Sequence, residues 1–292
     1  MDELPRAGLP EELEVLVLSV AEVWLPANPD APASTVPPAV SRAVSKAREE
    51  SMQLLESSRQ LAARAAERLR VLQPKWSVAS EAVADSPGWA LVFKAGEWRA
   101  DLVMVGSHGR SALERIFLGG VSQRVAAEAP CSVHVTRPRR HTHHTRLRVV
   151  VAVDGSRESQ AAVESVAARV WPAFSEFHVV TVLDARMEAA VGWPGLFREE
   201  WFRPQDVETR QGVDRMLESA AKKLFDAGLA VETFLLRGEP KAELMAHADG
   251  WESDLIFLGA RGLHHGQRLA LGTMASAVAA RAHCSVEIVR AG

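Results

Sequence analysis

The chain is short of the features that usually disclose a protein's purpose. Two cysteines in 292 residues leave no disulfide framework to hold a small fold together. No apolar run approaches the ~18 residues that would span a bilayer. The N-terminus, Met1-Asp-Glu-Leu-Pro, is acidic and proline-containing where a signal peptide would be basic and then apolar. These absences predict a cytoplasmic chain with no membrane segment. Neither sign of charge dominates: the formal net charge is −3 and the pI about 6.4, so no broad basic field asks for nucleic acid. Also missing are a P-loop, a His-x-Gly-His phosphate site, and any Ser/His/Asp or Cys/His set arranged as nucleophile and base.

What is present is ordinary globular material, 47% hydrophobic and 24% charged, enough for two cores in domains of roughly 150 residues. The chain also repeats itself. Gly106-Ser-His-Gly109, nine residues, then Gly119 is matched by Gly259-Ala-Arg-Gly262, nine residues, then Gly272. The offset, 259 − 106 = 153, recurs for Pro87 and Pro240, Asp101 and Asp254, and Cys131 and Cys284. A period this long lies outside the solenoid range and indicates two tandem domains. We place them at 1–137 and 147–292, with a linker at 138–146. Cys131 and Cys284 each open an apolar strand, where a small buried hydrophobe is the expected role.

The second copy reads as alternating strands and helices. Leu147 to Val153 is a continuous apolar strand of the kind buried on both faces of a parallel sheet. Asp154-Gly-Ser156 turns into a helix over about 157–170, with Ser156 as a plausible N-cap. Strands follow at Phe177 to Leu183, Val231 to Leu236, Leu255 to Leu258 and Ser285 to Val289. Helices fall at about 205–227, from Pro240, and at about 273–281. Such alternation predicts a doubly wound, five-stranded parallel sheet in each copy. In the first copy, strands at Val15 to Val20, Ser77 to Val83, Leu102 to Val105 and Ser132 to Val135 repeat the later part of the plan, with a long helix over Val40 to Leu72. Glu14-Val-Leu-Val-Leu-Ser-Val20 corresponds to Glu176-Phe-His-Val-Val-Thr-Val182 at an offset of 176 − 14 = 162, so the counterpart of Asp154 would fall at 154 − 162 = −8, before Met1. The first domain is therefore expected to lack its opening strand and most of its first helix, leaving its second and fourth strands without a shared neighbour. Either a start upstream of Met1 or a degenerate partner domain would account for this.

In an open α/β sheet, ligands bind at the carboxyl ends of the strands where the strand order reverses. Two segments of the second copy meet there: Val153-Asp-Gly-Ser156 and Gly259 to Ala275. Gly259 and Gly262 would let backbone approach a ligand, or serve plain turn chemistry. Gly272-Thr273 opens a helix whose unpaired N–H groups suit phosphate oxygens. Arg261 could add a cation or simply be solvated. Asp154 could accept from ribose hydroxyls, hold a divalent metal that bridges phosphates, or cap the following helix. His141, His143 and His144 read as a His-rich linker rather than a metal cluster, and His264-His265 as part of a solvent-facing loop.

The pattern Gly-x2-Gly-x9-Gly-[Ser/Thr], with the Val-Asp-Gly-Ser turn and the closing Ala282-His-Cys-Ser-Val-Glu-Ile-Val289, resembles the ATP-binding signature of the universal stress protein family. The resemblance covers essentially the whole chain as two modules. It implies an adenine nucleotide, ATP with or without Mg²⁺, held in the second module by Ala152, Val153, Asp154, Val182, Gly259, Arg261, Gly262, Gly272, Thr273, Met274 and Ala275. It also implies a Rossmann-like sheet of order 3-2-1-4-5, with domains paired along their fifth strands, within one chain or in a homodimer. The first copy departs from the signature: Gly120 stands where Ser or Thr should follow the third glycine, although Ser122 is near. The resulting expectation is an ATP-binding stress-response regulator, with no catalytic residue assigned. The alternatives are a slow ATPase on the same scaffold and a nucleotide-free dimerising scaffold.

Overall fold

A computed structural model describes residues 7–23, 38–107, 118–138, 146–184, 210–262 and 271–291. Gly109, the His141–His144 segment and His264-His265 lie outside them. The described elements are β1 (Glu14–Ala21), α1 (Pro38–Leu72), β2 (Ser77–Ala84), α2 (Pro87–Glu97), β3 (Leu102–Gly106), α3 (Gly120–Glu128), β4 (Ser132–Thr136), β5 (Arg148–Ala152), α4 (Arg157–Ala167), β6 (Glu176–Leu183), α5 (Arg210–Asp226), β7 (Ala230–Arg237), α6 (Pro240–Gly250), β8 (Leu255–Gly259), α7 (Thr273–Arg281) and β9 (Ser285–Val289).

The apolar runs of the second repeat become its inner strands. Leu255–Leu258 of β8 and all of β9 are buried, as strands with a helix on either face must be. Strand order through this repeat is β7-β6-β5-β8-β9, and every adjacent pair is parallel. Its core gathers Val149, Val151, Val163, Val166, Phe177, Val179, Leu224 and Phe257. Trp171 stands edge-on to Phe177 and Phe257, at 5.3 and 5.9 Å between ring centroids, a geometry that matches ring edge to ring face. Helix ends follow local chemistry. The Ser156 side chain caps α4 by accepting from Ser159 N–H, and Glu239 caps α6 by accepting from Ala242 N–H, with Pro240 in the first turn, where its missing N–H costs nothing.

The described strands make two sheets, but not one for each repeat. β1 and β2 form a parallel two-stranded sheet, covered by α1 through a stripe of Ala62, Ala66 and Leu69. β3 and β4 join the second repeat instead, giving a seven-stranded sheet β3-β4-β9-β8-β5-β6-β7. Compactness follows the same division. One unit runs from Pro10 to Lys94; the other takes Ala95 to Gly292 together with the segment around Ala7. β1 pairs with β2 and β3 with β4, and the hydrogen bonds of β4 continue into β9, which runs antiparallel to it.

Candidate functional site

The residues singled out in the second repeat converge at the carboxyl ends of β5, β6 and β8. Ala152 ends β5, and Val153 N–H still donates to Val180 O of β6 at 2.9 Å. Val182 lies two residues further along β6. Asp154 then leaves the sheet, and Gly155 makes the turn at φ +85°, where a side chain would be strained. Ser156, rather than Asp154, is the helix cap. The Asp154 carboxylate accepts from Ser156 N–H through Oδ1 at 2.9 Å, and its Oδ2 lies against Gly262, 2.7 Å from where a Cβ would stand. Asp154 is exposed, so its charge is presented to solvent at the head of α4.

The three glycines do different work. A Cβ on Gly259 would fall 2.7 Å from Glu158 Cβ, 2.8 Å from its carbonyl carbon and 2.9 Å from Ser159 N. Its bare Cα therefore admits the first turn of α4, where approach to a ligand was expected. Gly262 makes room for the Asp154 carboxylate. Gly272 donates to Ala260 O at 2.8 Å and is the N-cap of α7, with no side chain to cap it. The first N–H groups of that helix, from Thr273 to Ala275, thus have no side-chain acceptor from their own cap, and they carry the positive end of its dipole. Thr273 is exposed, Met274 half-buried and Ala275 buried.

Arg261 is not a solvated cation. Its guanidinium donates through Nη2 to Glu158 Oε1, with the two side chains 22% and 11% exposed. Ser156 Oγ, 3.4 Å from Arg261 O, ties the turn to the loop. Sequence reasoning passed over Glu158; the acid in the first turn of α4 was its one signal.

In the first repeat the two ends of the glycine loop repeat the hydrogen bonds of the second. Ser107 N–H donates to Thr136 O and Gly119 N–H to Ser107 O, as Ala260 does to Val289 and Gly272 to Ala260. Gly119 caps α3 with the same backbone geometry as Gly272. The Ser122 hydroxyl is spent on Gly106 O, and among the described residues no strand of this repeat carries a counterpart of Asp154. Among the described residues no group of three or more His, Cys, Asp or Glu is placed to hold a metal ion, and no helix is long and apolar enough to cross a membrane.

A parallel sheet wrapped by helices, with a glycine loop feeding a bare helix N-terminus beside a strand-end aspartate, defines a Rossmann-like α/β protein built from two repeats. Residues 10–137 and 145–290 both match the universal stress protein family, and the chain belongs to that family as a tandem member. Universal stress protein YxiE of Bacillus subtilis is 29% identical over 148 residues, 49% of this chain and 98% of its own length. Universal stress protein Sll1388 of Synechocystis is 33% identical over 103 residues, 35% of this chain and 64% of its own. Among solved structures, a universal stress protein from Archaeoglobus fulgidus superposes with a TM-score of 0.59 at 19% identity, covering 98% of this chain and 90% of that one. This last likeness speaks to the fold.

Proposed function

We propose that this protein is an adenine-nucleotide-responsive regulator whose working site lies in the second repeat. One observation carries the reading: the N-terminus of α7, capped by no side chain, and the exposed Asp154 carboxylate are joined there through Gly262, and among its described residues the first repeat has only the former. Nucleotide phosphates would take the N–H groups at Thr273 to Ala275 and the Thr273 hydroxyl. Asp154 would accept from a ribose hydroxyl, or hold Mg²⁺ against the phosphates. Ala152, Val153 and Val182 would line the base. Arg261 would exchange Glu158 for phosphate oxygen, a switch through which nucleotide occupancy alters the head of α4. A cytoplasmic location and further pairing with a second copy belong to the same reading.

The test is the nucleotide released on denaturing freshly purified protein, followed by calorimetric titration with ATP and Mg²⁺. About one adenine nucleotide per chain supports a single site in the second repeat. Two per chain would put a working site in the first repeat as well, and none, with no heat on titration, would leave the chain a scaffold. Steady ATP turnover that disappears in Asp154→Ala would move the reading to a slow ATPase.

A further inference from the structure

Helix α1 carries two apolar stripes, and its sheet takes one of them. Ala62, Ala66 and Leu69 are buried against β1 and β2. The second stripe steps alternately by four and three residues from Val40 to Leu72. Val40, Val44, Leu54, Leu61 and Leu72 all fall on it, each 45–57% exposed; Met52 and Val71 are the exposed apolar side chains of α1 that lie off it. Its other members are small, Ala47, Ser51, Ser58 and Ala65, with Arg68 as the one charge. A repeat of about 3.5 residues is the seam of a two-stranded coiled coil. The helix also outruns its support. Its 35 residues extend roughly 50 Å, whereas β1 and β2, with 8 residues each, extend roughly 27 Å. Residues 42–50 are exposed throughout.

A second copy of α1, laid antiparallel, completes the seam when residue i faces residue 112 − i of the copy. Leu54 then meets the second copy's Ser58, Ser51 its Leu61, and Ala47 its Ala65, so that large side chains stand over small ones. Val40 closes on Leu72 at each end, and Val44 lies along the aliphatic stem of Arg68. The flanking positions away from the sheet supply the charges. In this register Glu50, exposed, faces the second copy's Arg64, also exposed, and the two-fold axis repeats the pair. Within its own chain Glu50 has Lys46 at 3.9 Å, an open pair with side chains 79% and 63% exposed, which is worth little. Sliding the copy by one heptad sets Glu50 against Ser57 or Val71, and a parallel copy sets Leu54 on Leu54 and Ser51 on Ser51; each loses both ion pairs. We infer that α1 is the surface through which two copies of this chain associate, as an antiparallel helix pair centred at Glu56. This gives pairing with a second copy its surface and stands apart from the nucleotide site.

Sedimentation velocity of the full-length chain, without nucleotide and from about 1 to 100 μM, should show the 31.8 kDa monomer passing to a dimer. Leu54→Glu combined with Leu61→Glu should stay monomeric while keeping the wild-type circular dichroism, because both side chains are exposed within one chain. Glu50→Arg and Arg64→Glu should each weaken association roughly tenfold at low salt, since each sets like charges together at both symmetry-related places. An equimolar mixture of those two variants should associate at least as well as wild type, because each chain then offers the other the opposite charge at both places. A wild type that stays monomeric at every concentration overturns the inference. So does a dimer that survives the paired leucine substitutions, or charge variants that fail to recover on mixing. Should the paired leucine variant not fold, recovery on mixing decides alone.

Discussion

Gly259→Ala and Gly262→Ala add the same methyl three residues apart, and the structure assigns them opposite consequences. At 259 the new carbon meets main-chain atoms of the first turn of α4, 2.8 Å from Glu158 C and 2.9 Å from Ser159 N. Backbone cannot rotate away, so α4 must retreat from β8. Overpacking of this kind costs about 1–3 kcal/mol, against a gain of about 0.4–1 kcal/mol from a stiffer unfolded chain. The expected net loss is about 1–2 kcal/mol, or roughly 2–8 °C in melting midpoint. At 262 the methyl meets, among the described residues, only the Asp154 carboxylate, with Oδ2 at 2.7 Å, the end of a side chain that can turn. Gly262→Ala should melt within about 2 °C of wild type and yet lose ATP affinity, because the displaced carboxylate leaves the site. Thermal denaturation followed by circular dichroism, with titration calorimetry for ATP, reads both. A Gly259→Ala protein that melts at or above wild type would refute the packing role. Unchanged ATP affinity in Gly262→Ala would remove the site assignment.

Other perturbations bear on separate parts of the molecule. Glu158→Gln releases Arg261 from its counterion and should tighten ATP binding about three- to tenfold at low salt, with a smaller change for AMP; equal changes for both nucleotides would show that Arg261 does not reach the phosphates. His178 is held down to about 4 by burial and by neighbouring His247, with Glu232, Glu176 and Arg148 as the other charges around it. A depressed histidine keeps its full contribution above its ordinary value of 6.5 and loses it as pH falls from there toward 4. Melting midpoints should drop across that window, and His178→Phe, which keeps the stack on Trp251, should flatten the drop; an unflattened profile would place the acid sensitivity elsewhere. Burial pushes the Cys284 thiol up to about 12, so Cys131, which is less buried, should react first with a thiol reagent at pH 8, as mass spectrometry of the labelled protein would show.

Most element boundaries were legible because each rests on local chemistry. Ser156 before a helix, Pro240 in a first turn and the apolar run Ser285 to Val289 announce themselves within a few residues. That the two sheets do not follow the two repeats was legible only in part, from the change of offset to 162 between Glu14 and Glu176. What stayed hidden depends on residues distant in the chain. Arg261 finds Glu158 across 103 positions, and His178 finds His247 across 69; neither pairing has a periodicity to betray it. Glu287, in an apolar strand, is pushed up by burial, yet the hydrogen bond to His134 and the charge of Arg169 outweigh that and hold its carboxyl below the ordinary value. The glycine spacing was plain, but which neighbour fills the space beside each glycine was not. For Gly259 that neighbour is a helix.

The continuous sheet through β4 and β9 has a practical consequence for anyone dividing the chain. The repeat boundary is the obvious place to cut, and it is the wrong one for solubility. A fragment beginning at Leu147 would uncover one side of β9, a strand now buried along its whole length, and with it a carboxylate that has lost its histidine. It would also take Arg137 away from the carbonyls of Ala279 in α7 and of Cys284 just before β9. Unpaired edges of that kind recruit other edges, so the separated repeat should aggregate where a division near Lys94 would leave the larger sheet whole.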